Sequence, residues 1–246
     1  MQHTFRSRRT QAGSAASSSS ALVDPSSTTS LNSLGAGPSS SAIGSRTYQL
    51  RRLAEATLGA GNLREAVRLP EGENEEEWLA ANVADFLSHV NLLYGSVTEY
   101  CTPKKCQVMN AGEKIEYYWS DGKEYKKPTR LSAPEYVDRL ISWASGQLED
   151  PELFPTRSGV EFPSTFRPAI QAISRRLLRV YVHIYYAHFE QVMRLEMEAH
   201  LNTSFKHFLF FVREFRLVDP KELLPFSELI LSLTGEPVAP PSSSSS

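Results

Sequence analysis

Only two of the 246 residues are cysteine, and no apolar run approaches the length that a bilayer crossing needs. The greasiest stretch, Phe208-Leu-Phe-Phe-Val212, has five residues, against about 20 for a spanning helix. Two thiols are too few for a disulfide framework, and a domain of this size needs no staple; a single disulfide in a secreted chain stays open on count alone. Neither sign of charge prevails, because 26 Lys and Arg face 28 Asp and Glu for a formal net charge of −2. That balance argues against a protein whose main work is gripping nucleic acid. The amino terminus, Met1-Gln-His-Thr-Phe-Arg-Ser-Arg-Arg9, has basic residues with no apolar core behind them, so the pattern of a signal peptide is missing. The hydrolase signatures His-Glu-x-x-His and Gly-x-Ser-x-Gly are missing too. A soluble intracellular protein without membrane insertion is expected.

What is present divides into three parts. Gln11 to Ser45 holds 13 serines in 35 positions, one acid and no aromatic residue. Such a segment buries too little apolar surface to offset its ordering entropy, so 1–45 is expected to be a disordered tail. Pro240, Pro241 and the serines to Ser246 make 236–246 a second one. The dense region 46–235 between them reads as one domain, and helical spacing dominates it. Leu50, Leu53, Ala54 and Leu58 suggest a short helix closed by Gly59. A stronger one starts near Glu75, with Trp78, Leu79, Val83, Phe86, Val90 and Leu93 at three- and four-residue steps and Glu75, Glu76 and Glu77 at the positive end of its dipole. Pro134 reads as the first residue of a third helix. Others are expected from Phe166 to about Tyr186, from Asn202 to Phe215, and around Phe226–Leu233. The aromatic segment Lys114–Trp119, followed by Ser120-Asp121-Gly122 and Lys123–Lys126, signals a short β-hairpin.

Three groups of residues carry chemistry. Cys101-x₄-Cys106 and His183-x₄-His188 offer two thiolates and two imidazoles, a complete tetrahedral set for Zn²⁺ with no position left for water. A closed site holds a fold together and does not catalyse. Five positions along an ideal helix turn the second imidazole about 140° from the first, so the histidine pair should straddle a helix end or kink. From spacing alone, zinc and four ordinary core residues are equally compatible readings. Next, Arg175, Arg176 and Arg179 lie within one helical turn, in a stretch from Phe162 to Phe189 without an acidic residue. Guanidinium forks at those spacings suit a phosphoserine or phosphothreonine, although a solvated helix flank is the commoner outcome of such a run. Last, Glu71, Glu73, Glu75, Glu76 and Glu77 put five negative charges in seven residues, either to serve the helix dipole or to steer a basic partner onto this face.

Taken together, several motifs resemble the Mob/phocein family. They are Leu69-Pro-Glu-Gly-Glu73, Trp78, Leu93-Tyr-Gly95, Thr98-Glu99, the cysteine pair, Ser132-Ala-Pro134, Leu153-Phe-Pro155, Arg175-Arg-Leu-Leu-Arg-Val-Tyr181 and Glu198-Ala-His-Leu-Asn-Thr-Ser-Phe-Lys-His-Phe208. The likeness runs from about Tyr48 to Gly235 and is closest to the Mob-one kinase co-activators. It implies an all-α fold with a four-helix-bundle core, extra helices and a structural zinc held by Cys101, Cys106, His183 and His188. It also implies a non-catalytic adaptor that binds NDR/LATS-type kinases in Hippo or mitotic-exit signalling. With no sign of oligomerisation a monomer is the default expectation, located in the cytoplasm and also in the nucleus or at a spindle pole or division site. By resemblance, Arg175, Arg176 and Arg179 take a phosphopeptide of an upstream Hippo-type kinase or scaffold, and Glu77, Trp78 and Asp85 face the downstream kinase. Thr57 and Thr4 would then be phosphorylation sites. The alternatives are a phocein-like subunit of a phosphatase-containing assembly and, much less favoured, a zinc hydrolase.

Overall fold

Asn74 starts the first long helix. Its side-chain oxygen accepts the Glu77 amide at 2.9 Å, and the three glutamates of the first turn follow. The computed structural model describes residues 62–155 and 160–238, and the helix expected over Leu50–Leu58, together with Thr4 and Thr57, lies outside them. In chain order the helices are α1 (Leu63–Ala66), α2 (Glu75–Gly95), α3 (Ala133–Leu148), α4 (Phe166–Ala187), α5 (Phe189–Arg194), α6 (Glu198–Glu214), α7 (Pro220–Leu223), a 3₁₀ turn at Leu224–Phe226 and α8 (Ser227–Thr234). Among the described residues no helix is long and apolar enough to cross a membrane.

Four of these helices, α2, α3, α4 and α6, form the bundle, and α4 is its most deeply buried member. Twelve α4 residues are buried, from Phe166 through Ile173, Leu177 and Tyr181 to Tyr185. It packs against both α2 and α3, while α6 packs on α2 and is covered in turn by α1 and α8. The seam between α2 and α6 is aromatic. Phe86 meets Phe208 edge-on at 5.4 Å and Phe211 at 5.2 Å between ring centres. Across α4 and α6, Tyr181 stacks on Phe205 at 4.7 Å. Each such ring contributes about 1.5–3 kcal/mol by burial, and its pairings add roughly another 0.5–1.5 kcal/mol.

Helix α3 begins in a capping box. Ser132 Oγ accepts the Glu135 amide, and Glu135 Oε2 accepts the Ser132 amide at 3.1 Å. Pro134 is the second helical residue, one later than expected. Helix α6 starts at Glu198, four residues before Asn202. Its first turn is half-exposed and therefore adds little to an apolar count.

The hairpin expected around Asp121-Gly122 takes a reduced form. The Asp-Gly turn is there, with Gly122 at φ 75°, and Trp119 and Thr129 exchange both backbone hydrogen bonds at 2.8 and 2.7 Å. Among the described residues the pairings at Trp119–Thr129 and Asn110–Glu116 are isolated bridges, not strands. The side chains explain why the backbone does not zip. Trp119 is buried under α3 and α4, with its ring 5.3 Å from that of Tyr136. Asp121 Oδ1 accepts the amides of Lys123 and Tyr125, which uses donors that a ladder would need.

Candidate functional site

The cysteines lie on the loop that follows α2. Cys101 ends one turn, its amide donating to Val97 O at 2.9 Å, and Cys106 ends the next, donating to Thr102 O at 2.8 Å. The carbonyl of Cys106 accepts the amide of Ala133, the first residue of α3, at 3.0 Å. The histidines come from the far side of the core. His183 is inside α4, whereas His188 is the residue between α4 and α5, at φ −131° and ψ 11°. That break is what turns the second imidazole back toward the first, and the two rings meet at 5.1 Å.

One donor atom from each of the four residues lies within 4.8 Å of all the others, and all four side chains are buried. Cys101 Sγ is 3.4 Å from His183 Nε2, and Cys106 Sγ is 3.4 Å from His188 Nε2. Tetrahedral zinc, with bonds of about 2.3 Å to sulfur and about 2.0 Å to nitrogen, sets a sulfur-to-nitrogen separation of roughly 3.5 Å. His183 Nδ1 is 2.8 Å from Asn110 O. Since a carbonyl only accepts, Nδ1 carries the proton and Nε2 turns a lone pair toward the sulfurs. Burial pushes the Cys101 thiol up to about 12, against a lowering contribution from the neighbouring Tyr94 hydroxyl. It also raises Cys106 and lowers His183. His188 falls to about 4, through burial first and then the proximity of His183 and Lys105. Neutral imidazoles are ready ligands, while two thiolates in so dry a pocket call for a compensating divalent charge. The residues therefore fit a metal ion: a buried Cys₂His₂ group that could hold one.

The arginine triplet lies on α4 and is not uniform. Arg175 is exposed and makes no ion pair among the described residues. Arg176 is half-buried over the faces of Trp143 and Trp119, at 4.3 and 5.1 Å, and donates to Ser120 O at 2.7 Å. Burial lowers its pKa, and the charges of Arg179 and Arg175 add to that. Arg179 donates to Tyr136 Oη at 2.8 Å and covers Tyr117, while its Nε is buried without a partner. Arg176 and Arg179 thus lie on an aromatic floor, with Arg175 exposed on the same helix beside them. Sequence reasoning missed that floor: Trp119 and Tyr117 read only as strand residues. An excess of rings in a short loop, beside arginines lacking acidic neighbours, was the available signal.

On α2, Glu77, Ala81, Asp85, His89 and Leu92 form an exposed stripe, and Leu92 is 72% exposed. Trp78 flanks it, half-buried, with its indole donating to Val67 O at 3.2 Å. Glu75 does not join the acidic surface, because Arg167 of α4 pairs with it. Leu92 leads into a groove of about 710 Å³ between α2, the turn at Leu195–Met197 and α6. Sequence reasoning missed this feature as well, since it is assembled from three segments.

A helical bundle that brings a loop to its central helix around a buried four-donor group belongs to the class of all-α scaffolds with an internal Cys₂His₂ group that could hold a metal ion. This chain belongs to the Mob1/phocein family, whose profile matches residues 55–226. It is 55% identical over 190 residues to the "Maintenance of ploidy protein mob1" of Schizosaccharomyces pombe, which covers 77% of this chain and 90% of that relative. It is 56% identical over 191 residues to the "MOB kinase activator-like 1 homolog B" of Dictyostelium discoideum, covering 78% and 88%. Against the "MOB kinase activator-like 1A" of Arabidopsis thaliana it is 55% identical over 190 residues, covering 77% and 88%.

Proposed function

We propose that this chain is a non-catalytic adaptor that co-activates an NDR/LATS-type Ser/Thr kinase in Hippo or mitotic-exit signalling. The observation that carries the reading is its identity of more than half, over most of their length, with relatives whose names describe kinase activators. The exposed stripe of α2 supports it, because Glu77 and Asp85 would steer a basic kinase segment while Trp78, Leu92 and the groove beyond give it apolar contacts. Zinc is the ion assigned to the Cys₂His₂ group. It would neutralise the two thiolates and pin the 101–111 loop to α4, with no position left for catalysis.

Arg175, Arg176 and Arg179 would receive a phosphorylated segment of an upstream Hippo-type kinase or scaffold, with Arg175 as the free fork and the other two pre-oriented by their aromatic contacts. Bringing the two partners onto one monomer raises their effective concentration. Phosphorylation at Thr57 and Thr4 would relieve an amino-terminal block of the kinase face, in the cytoplasm and also in the nucleus or at the division site. The test is a calorimetric titration with the basic amino-terminal regulatory segment of an NDR-type kinase. Saturable one-to-one binding that weakens with salt and with Glu77→Lys is expected. No binding by zinc-loaded, Thr57-phosphorylated protein would move the assignment to a phosphatase-containing assembly.

A further inference from the structure

Tyr94 sits in the last turn of α2 and is only 4% exposed. Its hydroxyl is enclosed and makes no well-formed hydrogen bond among the described residues. A buried hydroxyl in that state is destabilising, so its position calls for an acceptor. The group beside it is the Cys101 thiol, while the Asp138 carboxylate of α3 and Cys106 are felt more weakly, through charge alone. The backbone fixes this pairing. Tyr94 O accepts the Val97 amide at 3.0 Å, and Val97 O accepts the Cys101 amide at 2.9 Å, so two successive turns carry the chain from the tyrosine to the cysteine. Val97, between them, is buried.

A neutral thiol sulfur is a weak acceptor, whereas a thiolate takes a charge-assisted hydrogen bond. Burial disfavours charge on Cys101, and the Tyr94 hydroxyl is the neighbour that opposes this. Burial also keeps the phenol protonated, so it stays a donor. The imidazole nearest to Cys101 is oriented in a comparable way. His183 Nε2 lies 3.4 Å from Cys101 Sγ, and its Nδ1 is held by Asn110 O at 2.8 Å. We propose that Tyr94 is a positioning residue of the Cys₂His₂ group, its hydroxyl donating to the Cys101 thiolate when a divalent ion is bound. The inference rests on the zinc reading above and deepens it. The hydroxyl takes the place of the water that the dry pocket excludes, and it directs the remaining sulfur lone pairs toward the ion. It also joins the end of α2 to a group whose ligands come from the following loop, from α4 and from the break after it.

The experiment uses the full-length protein, wild type and Tyr94→Phe, titrated with Zn²⁺ against a chromophoric chelator and separately loaded with Co²⁺. Phenylalanine keeps the ring and its packing and removes only the oxygen. Tyr94→Phe is expected to weaken zinc binding about 10–100-fold. It should also move the sulfur-to-cobalt charge-transfer band to lower energy, because a thiolate freed of a hydrogen bond holds its electrons less tightly. Tyr181→Phe serves as the control. It removes another buried hydroxyl, one that lies 2.7 Å from Ser204 Oγ of α6, and it should leave both readouts unchanged. A purely structural role for Tyr94 lowers affinity without shifting the band, so weaker binding with an unmoved band overturns the hydrogen bond. Wild-type affinity in Tyr94→Phe overturns it as well, and both results leave the zinc reading standing. No sulfur-to-cobalt band in the wild type would remove the zinc reading and this inference with it.

Discussion

The Arg176 guanidinium and the Ser120 carbonyl meet at 2.7 Å, joining α4 to the Asp-Gly turn while the guanidinium covers the Trp119 and Trp143 rings. This contact gives Arg176 a structural role that Arg175, exposed on the same helix, does not share. The two residues should therefore respond differently to truncation. Arg175→Ala is expected to weaken phosphopeptide binding with Tm unchanged within about a degree. Arg176→Ala should weaken binding and also cost about 1–3 kcal/mol, since it removes a charged hydrogen bond and two cation–π contacts. Fluorescence anisotropy with a phosphothreonine peptide, paired with thermal melts, separates the two effects; equal stability of the variants would refute the division of roles.

Loss of one of the four clustered donors should be felt throughout the fold, because the Cys₂His₂ group brings the loop after α2 against α4. The purified protein should carry one zinc per chain by atomic absorption. Cys106→Ser should lose it and fall by about 3 kcal/mol or more, which is roughly 6–12 °C in Tm for a domain of this size. A metal-free protein with an unchanged melt would show that the four residues are ordinary core.

The Ser132 cap makes a second link to the same loop, because Ala133 N donates to Cys106 O one residue after the capping box begins. Ser132→Ala should cost about 1 kcal/mol. Ser132→Asp, which keeps a capping acceptor, should recover most of that in denaturant melts.

His207 makes stability depend on pH even without a partner. Burial lowers its pKa in the folded chain, His89 adds to this, and Asp85 opposes it. Below about pH 6.5 the unfolded chain takes up the proton before the folded one, so stability is lost as pH falls from that value toward the lowered one. His207→Gln should remove this part of the acid sensitivity, amounting to at most about 1.4 kcal/mol at pH 5.5. Parallel melts of the two proteins at pH 7.5 and 5.5 isolate it from the titration of the Cys₂His₂ group, and identical slopes would contradict it.

Much of this architecture is written in local chemistry. Apolar steps of three and four residues mark α2 and α4, Ser132-Ala-Pro134 with Glu135 marks the start of α3, and an acidic first turn marks that of α2. Such signals act within a few residues and survive without tertiary context. The Cys-x₄-Cys and His-x₄-His pairs could be recognised as candidate ligands for the same reason, since donor type and short spacing are properties of the chain itself. Folding alone decided that the two pairs meet, because their separation of 82 residues is closed only by α4 crossing the bundle. It decided equally that Trp119 and Trp143 lie under Arg176, that the Asp-Gly turn forms bridges and no ladder, and that three histidines share one groove. Periodicity states which face of a helix is apolar, whereas the neighbour that fills it is chosen by packing between segments distant in the chain.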